Sequence, residues 1–255
     1  IMKHWIAAII ATMLAVNSFA DNQEPDWAVK IGDGVSQTVH FCKLTNGASM
    51  EDIAKLDVQA IKWLDEERLR LGIDILTPVF DTFSDYDYIS LQWATWNEWG
   101  TFWSKISESA EGQAVMDSYS SVEDCKVMVA SVFPIMRKPE VIEDLNKVST
   151  VEWCSRKEGV SSDQLSAKHL EIAAAIKDDT SVIWWGVGYP QIGAQDKDLP
   201  GDFYHYMSYT DYAGLAASKH KVANEEGWRM LQDYYTSYAD CNGQVAVSVN
   251  TVRQR

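Results

Sequence analysis

The sequence predicts an α+β fold in which one unit, β-α-β-β-α-β, occurs twice in tandem, and three observations carry that expectation. The chain repeats itself at a nearly constant offset. The segments of each copy alternate between the two-residue period of strands and the 3.6-residue period of helices. One cysteine stands at the same two places in each copy.

The repetition is an ordered series. Val39-His40-Phe41-Cys42-Lys43 aligns with Val151-Glu152-Trp153-Cys154-Ser155, and the same offset pairs Gly47 with Gly159, Ser49 with Ser161 and Pro78 with Pro190. Further on, Gly100, Ser104 and Lys105 match Gly214, Ser218 and Lys219, and Glu111-Gly112 matches Glu226-Gly227. Asp117, Tyr119, Ser121, Asp124 and Cys125 then match Asp233, Tyr235, Ser237, Asp240 and Cys241. The offset drifts by only a few residues, as loop insertions would make it.

Residues 1–20 read as a cleaved secretory signal: Lys3 near the start, the apolar run Ile6 to Val16, and small residues at Ser18 and Ala20 before the polar stretch from Asp21. An N-terminal arm over 21–36 precedes a first repeat over 37–136, a linker over 137–149 and a second repeat over 150–255. Strand one spans Thr38 to Leu44 and Val151 to Arg156. The helix that follows starts at Ser49 or Ser161, each with an acid or amide three residues on that can return the cap. Ile53, Leu56, Ala60, Ile61 and Leu64, and in the second copy Leu165, Leu170, Ala173, Ala174 and Ile176, give each helix one apolar face. Strand two covers Ile73 to Phe80 and Val182 to Tyr189. Its equivalent prolines lack an N–H for the ladder and so favour a sheet edge. Strand three covers Tyr86 to Thr95 and Phe203 to Tyr209. A second helix covers about 97–119 and 212–235, and strand four Lys126 to Phe133 and Gln244 to Val252.

This element order is the ferredoxin-like one, an antiparallel sheet with both helices on one face. The other face cannot stay wet, because Tyr88, Trp93, Trp184, Trp185, Tyr204, Tyr206 and Tyr209 would expose a large apolar area. The chain therefore resembles the dimeric α+β barrel superfamily. The resemblance implies two tandem ferredoxin-like repeats packed sheet to sheet as a pseudo-dimeric α+β barrel, with a cavity between them. Spacing alone leaves three pairings open for four cysteines. In a ferredoxin-like sheet the first and fourth strands are neighbours, which implies disulfides Cys42–Cys125 and Cys154–Cys241. No C-x-x-C and no histidine at ligand spacing points to a metal.

With 22 basic and 37 acidic residues the net charge is −15, a poor surface for nucleic acid. No stretch beyond the signal is apolar enough to span a membrane. The signal and the cysteines point to the periplasm or the extracellular space. G-x-S-x-G, H-E-x-x-H, Walker and G-x-G-x-x-G motifs are absent, and Gly186-Val187-Gly188 is a lone G-x-G within a strand.

His40 and Glu152 occupy equivalent positions on the face of the half-cystines and, with His205 and Tyr206, are the candidate catalytic groups if that face lines the cavity. Ordinary buried polar roles fit the same residues. Tyr88, Gln92, Trp93, Trp185, Tyr204, Tyr206 and Tyr209 are the candidate ligand contacts, for a small apolar or aromatic molecule. His169 and His220 are expected at the surface, and Trp96, Trp99 and Trp103 on one side of the second helix. The expected function is that of an exported small-molecule-binding protein, monomer or homodimer, with no cofactor and no metal. The alternatives are an oxygenase of the same architecture, cofactor-free or haem-dependent, and a non-catalytic envelope module.

Overall fold

A computed structural model describes residues 32–80, 85–138, 146–193, 199–225 and 227–254. The expected signal (1–20) and residues 21–31 of the arm lie outside the described residues. The first repeat runs β1 (Val35–Leu44), α1 (Met50–Glu66), β2 (Gly72–Phe80), β3 (Tyr88–Ala94), α2 (Trp96–Glu108), α3 (Ala110–Ser120) and β4 (Glu123–Arg137). The second runs β5 (Asn146–Arg156), α4 (Ser162–Ile176), β6 (Val182–Ile192), β7 (Phe203–Tyr209), α5 (Tyr212–Asn224), α6 (Gly227–Ser237), β8 (Ala239–Cys241) and β9 (Val245–Arg253).

Each half forms a ferredoxin-like antiparallel sheet, β4-β1-β3-β2 in the first and β9-β5-β7-β6 in the second. The edge strands pair across the halves, β2 with β9 and β4 with β6, so that eight strands close into one barrel. Pro78 and Pro190 lie on these edge strands, and the ladder shifts register beside each of them. Closure leaves no free sheet edge along the barrel. Strand four of the second copy is divided into β8 and β9, both paired with β5.

Local chemistry fixes the helix starts. Ser49 N–H donates to Asp52 Oδ2 (3.1 Å), and Ser161 and Gln164 cap each other reciprocally. The second helix is not the single rod expected over about 97–119 and 212–235. It breaks into α2 and α3 at Ser109, whose hydroxyl accepts from Gly112 N–H (2.9 Å), and into α5 and α6 in the second copy. The repeated glycine explains both breaks. A Cβ on Gly112 would lie 2.9 Å from Ile106 Cα, and one on Gly227 2.9 Å from Val222 Cα, so only glycine lets the two segments pack this tightly.

The core has three layers. Val39, Leu91, Met128, Trp184, Tyr206 and Val247 belong to the barrel interior. Ile53, Trp63, Leu64, Tyr88 and Phe102 fill the space between the first sheet and its helices, and Leu165, Ile172, Trp185, Phe203 and Tyr234 the corresponding space in the second half. Cys42 is bonded to Cys125 and Cys154 to Cys241, each pair opposed across the first and fourth strands of its own half. No helix among the described residues is long and apolar enough to cross a membrane.

Candidate functional site

Strand alternation decides which side chains meet. On β1, Gln37, Val39 and Phe41 enter the barrel, while Thr38, His40 and Cys42 lie beneath the helices. On β3, Ile89, Leu91 and Trp93 enter, and Tyr88, Ser90 and Gln92 do not. On β7, Tyr204, Tyr206 and Ser208 enter, while Phe203, His205, Met207 and Tyr209 face α4 to α6. The face carrying the half-cystines is therefore the helix-covered one. His40 and Glu152 do not meet across the barrel: each is covered by the helices of its own half, on opposite sides of the molecule.

Of the expected ligand contacts, Trp93, Tyr204 and Tyr206 face the barrel interior. Tyr88 and Gln92 lie in the first helix-covered layer, Trp185 and Tyr209 in the second. Only Tyr206 of the four candidate catalytic residues lines the interior. A two-residue period separates two faces but does not label them, and this is the physical reason for the difference. Trp96, Trp99 and Trp103 do line up along α2, with ring centroids 5.5 and 6.3 Å apart, and Trp99 Nε1 donates to Thr38 Oγ1 (3.1 Å), which makes them packing elements of that layer.

The interior is filled over most of its length, where a void of about 60 Å³ remains beside Tyr204, Trp153 and Gln37. At one mouth it opens into a cavity of about 310 Å³ contributed by both halves. Its wall holds three rings in mutual contact: Trp93 and Trp184 at 5.7 Å, Trp93 and Tyr206 at 6.0 Å, Trp184 and Tyr206 at 5.3 Å. Gly186 and Gly188 on β6 make room for such rings, since a Cβ there would strike Trp184 and Tyr204 at 2.2 and 2.1 Å. Asp74 lies in the same wall, accepting from Trp93 Nε1 (2.9 Å) and Thr251 Oγ1 (2.5 Å). Burial pushes its carboxyl above the usual range, against those two bonds and the charge of Lys147, which pull it down. Arg137, Lys147 and Arg253 complete the rim. Arg253 is anchored by the Leu69 and Leu71 carbonyls and by Asp65, and Lys147 donates to Thr251 Oγ1 (3.0 Å). The sequence signal for this wall is a lone acid within the apolar strand Ile73-Asp74-Ile75.

The second helix-covered layer holds a closed polar chain. Trp185 Nε1 donates to His205 Nδ1 (3.1 Å), and Tyr234 OH lies 2.9 Å from His205 Nε2 and 3.0 Å from His169 Nε2. A neutral His205 that accepts at Nδ1 carries its proton on Nε2, so it donates to Tyr234, which donates to His169. His169 is thus buried (1% exposed), not at the surface as expected from its helix position, and burial lowers its pKa to about 4. His220 is exposed on α5. Glu152 accepts from Tyr235 (3.0 Å) and Gln244 (3.3 Å), and burial raises its pKa.

No protein-family model and no curated protein matches the chain. Solved structures do. A "putative monooxygenase" of Lactobacillus acidophilus superposes with a TM-score of 0.54 over 86% of this chain and 94% of its own, at 7% identity. The fold is a dimeric α+β barrel fused into one chain. A haem-binding protein of Thermus thermophilus (TM-score 0.49, 8% identity, 88% of this chain and 93% of that one) and a chlorite dismutase mutant of Candidatus Nitrospira defluvii (0.49, 11%, 86% and 92%) are further neighbours.

Haem does not fit the histidines of this barrel. Both nitrogens of His205 are engaged, His169 Nε2 is engaged, and the cavity that His205 lines measures about 80 Å³, against about 300 Å³ or more for a drug-sized ligand. No histidine among the described residues lines the mouth cavity. His40 borders an open groove of about 690 Å³, but its Nε2 is shut off from solvent, and the groove offers Glu123 and Asp124 and no lysine or arginine for haem propionates.

Proposed function

We propose that this protein is an exported binding protein for a small aromatic or amphiphilic molecule, seated at the barrel mouth between the two repeats. One observation carries the reading: a cavity of about 310 Å³ walled by the Trp93–Trp184–Tyr206 cluster, with Asp74 as its buried polar group, against a void of only about 60 Å³ deeper in the barrel. That volume stands at the lower end of small-molecule sites, which combine apolar and aromatic walls with a few placed polar groups. The rings supply area and edge-on contacts, and the Asp74 carboxyl, Ser208 and the rim cations fix the orientation of a polar end. The two disulfides agree with an oxidising compartment.

Native mass spectrometry of protein exported by its own host tests this. The expected result is a bound small molecule that Trp93→Ala loses while its melting stays cooperative. Protein free of ligand in both forms, or a ligand that the variant keeps, refutes the proposal.

Catalysis at the same cavity is the second reading, favoured by the raised pKa of Asp74, a carboxyl that can hold a proton beside an aromatic wall. Asp74→Asn would then abolish turnover and retain the ligand; equal turnover in both proteins removes this reading.

A further inference from the structure

The helix-covered layer of the first half contains polar groups that the described residues leave unsatisfied. Four of the five buried side-chain polar atoms without a partner among the described residues belong to it: His40 Nε2, Gln92 Oε1, Trp63 Nε1 and Trp103 Nε1. His40 is 8% exposed. Buried polar atoms are normally bonded, so a cluster of exceptions points to something that occupies the space between them.

His40, Gln92 and Trp63 line one cavity of about 70 Å³, together with the carboxyls of Asp57 and Glu123. Tyr119 donates to Asp57 (2.7 Å) and Tyr88 to Glu123, and the two carboxyls repel each other's charge. No cation acts on either among the described residues. An open groove shares His40, Met116, Tyr119 and Glu123 with this cavity, and Asp124 adds a further acid there.

The second half provides an internal control. Cys42 opposes Tyr88 and Cys154 opposes Phe203, so His40 corresponds to Glu152, Gln92 to Met207, and Glu123 to Ala239. There the carboxyl of Glu152 is bonded by Tyr235 and Gln244 and faces Lys219, and the position of Gln92 is apolar. The same architecture can thus satisfy itself internally, whereas the first copy, among the described residues, leaves His40 Nε2 and Gln92 Oε1 without a partner beside two carboxyls that each accept from one tyrosine.

We propose that the cavity beneath α1 to α3 is a binding site, separate from the barrel mouth, for a small cationic amine. Its ammonium group lies between Asp57 and Glu123 and donates to His40 Nε2 or Gln92 Oε1, while an oxygen at its other end accepts from Trp63 Nε1. Trp63 and Phe102, 6.2 Å apart, add aromatic faces that favour a cation. About 70 Å³ holds two or three waters at about 30 Å³ each, or one molecule of about four heavy atoms.

Ethanolamine is the probe, with ethylene glycol as its uncharged analogue and glycolate as its anionic one. Titration calorimetry on the intact, disulfide-bonded protein, together with the Trp63 indole signal in a proton–nitrogen spectrum, reads the outcome. A ligand of this size can reach a Kd no tighter than about tens of micromolar. The expected result is saturable one-to-one binding of ethanolamine that shifts the Trp63 signal, at least about tenfold tighter than either analogue, and weakened at least about tenfold by Glu123→Gln or Asp57→Asn. Selectivity in the unmodified protein decides the matter even if a variant fails to fold. Failure of ethanolamine to saturate, equal binding of glycolate or ethylene glycol, or a crystal structure grown in ethanolamine in which waters alone bridge these atoms, overturns the proposal.

Discussion

Replacing His169 with glutamine removes a titratable group from the buried chain Trp185–His205–Tyr234–His169 and keeps an acceptor for the Tyr234 hydroxyl. The groups facing His169 are His205 on β7 and Tyr234 on α6, with Trp185 and Phe203 as ring neighbours, and no carboxylate among the described residues compensates a charge there. Burial lowers its pKa from 6.5 to about 4. The unfolded chain takes up a proton at this residue below about pH 6.5 and the folded chain does not, so stability falls as pH drops from 6.5 through 4. Between pH 7 and pH 5 the loss from this residue is about 2 kcal/mol, and the full shift corresponds to about 3 kcal/mol. Buried carboxyls with raised pKa values, Asp57, Asp74, Glu123 and Glu152, act in the opposite sense and are common to both proteins. The difference between proteins therefore isolates the histidine. The assay is urea unfolding at pH 7 and pH 5 with disulfides intact. The wild type should lose about 2 kcal/mol more than His169→Gln over that interval. Equal losses in the two proteins would show that His169 is charged or hydrated in the folded state, and the tautomer assignment of the whole chain would fall with it.

The remaining expectations concern the frame. Converting Cys42 and Cys125 together to serine opens a loop of 83 residues and should lower stability by about 4.5 kcal/mol by the loop-entropy relation, seen as a lower Tm with the Cys154–Cys241 bond retained. Gly188→Ala places a methyl against the Tyr204 ring and should cost about 1–3 kcal/mol in denaturant unfolding; an unchanged midpoint would mean that the ring does not lie over β6. Trp99→Phe keeps the ring ladder of α2 but removes the donor to Thr38, for a loss of about 1 kcal/mol by the same measurement.

Repetition made the architecture legible, because one unit written twice shows which features are structural: the half-cystines, the capping serines, the edge prolines and the Glu-Gly pair all recur. That same pair lies at the break between α2 and α3, a break that the recurrence of a Glu-Gly pair does not by itself announce. What the sequence could not assign was the side of the sheet. Tyr204-His205-Tyr206 reads as one polar-aromatic cluster along the chain, yet alternation sends His205 under α6 and the two tyrosines into the barrel. The burial of both faces removes the polar–apolar contrast that would otherwise tell inside from outside. The equivalent helix positions Asp57 and His169 show the same ambiguity at the 3.6-residue period. Each is a polar residue that looks solvent-facing on its own, and each is buried because a tyrosine from the last helix, Tyr119 or Tyr234, supplies its bond from 62 or 65 residues away. The two copies differ at such positions. His40 against Glu152, Gln92 against Met207 and Trp93 against Ser208 are substitutions at matched points of one scaffold. They place the ring wall in the barrel and leave unsatisfied acceptors in the first helix-covered layer, while the second copy stays internally bonded.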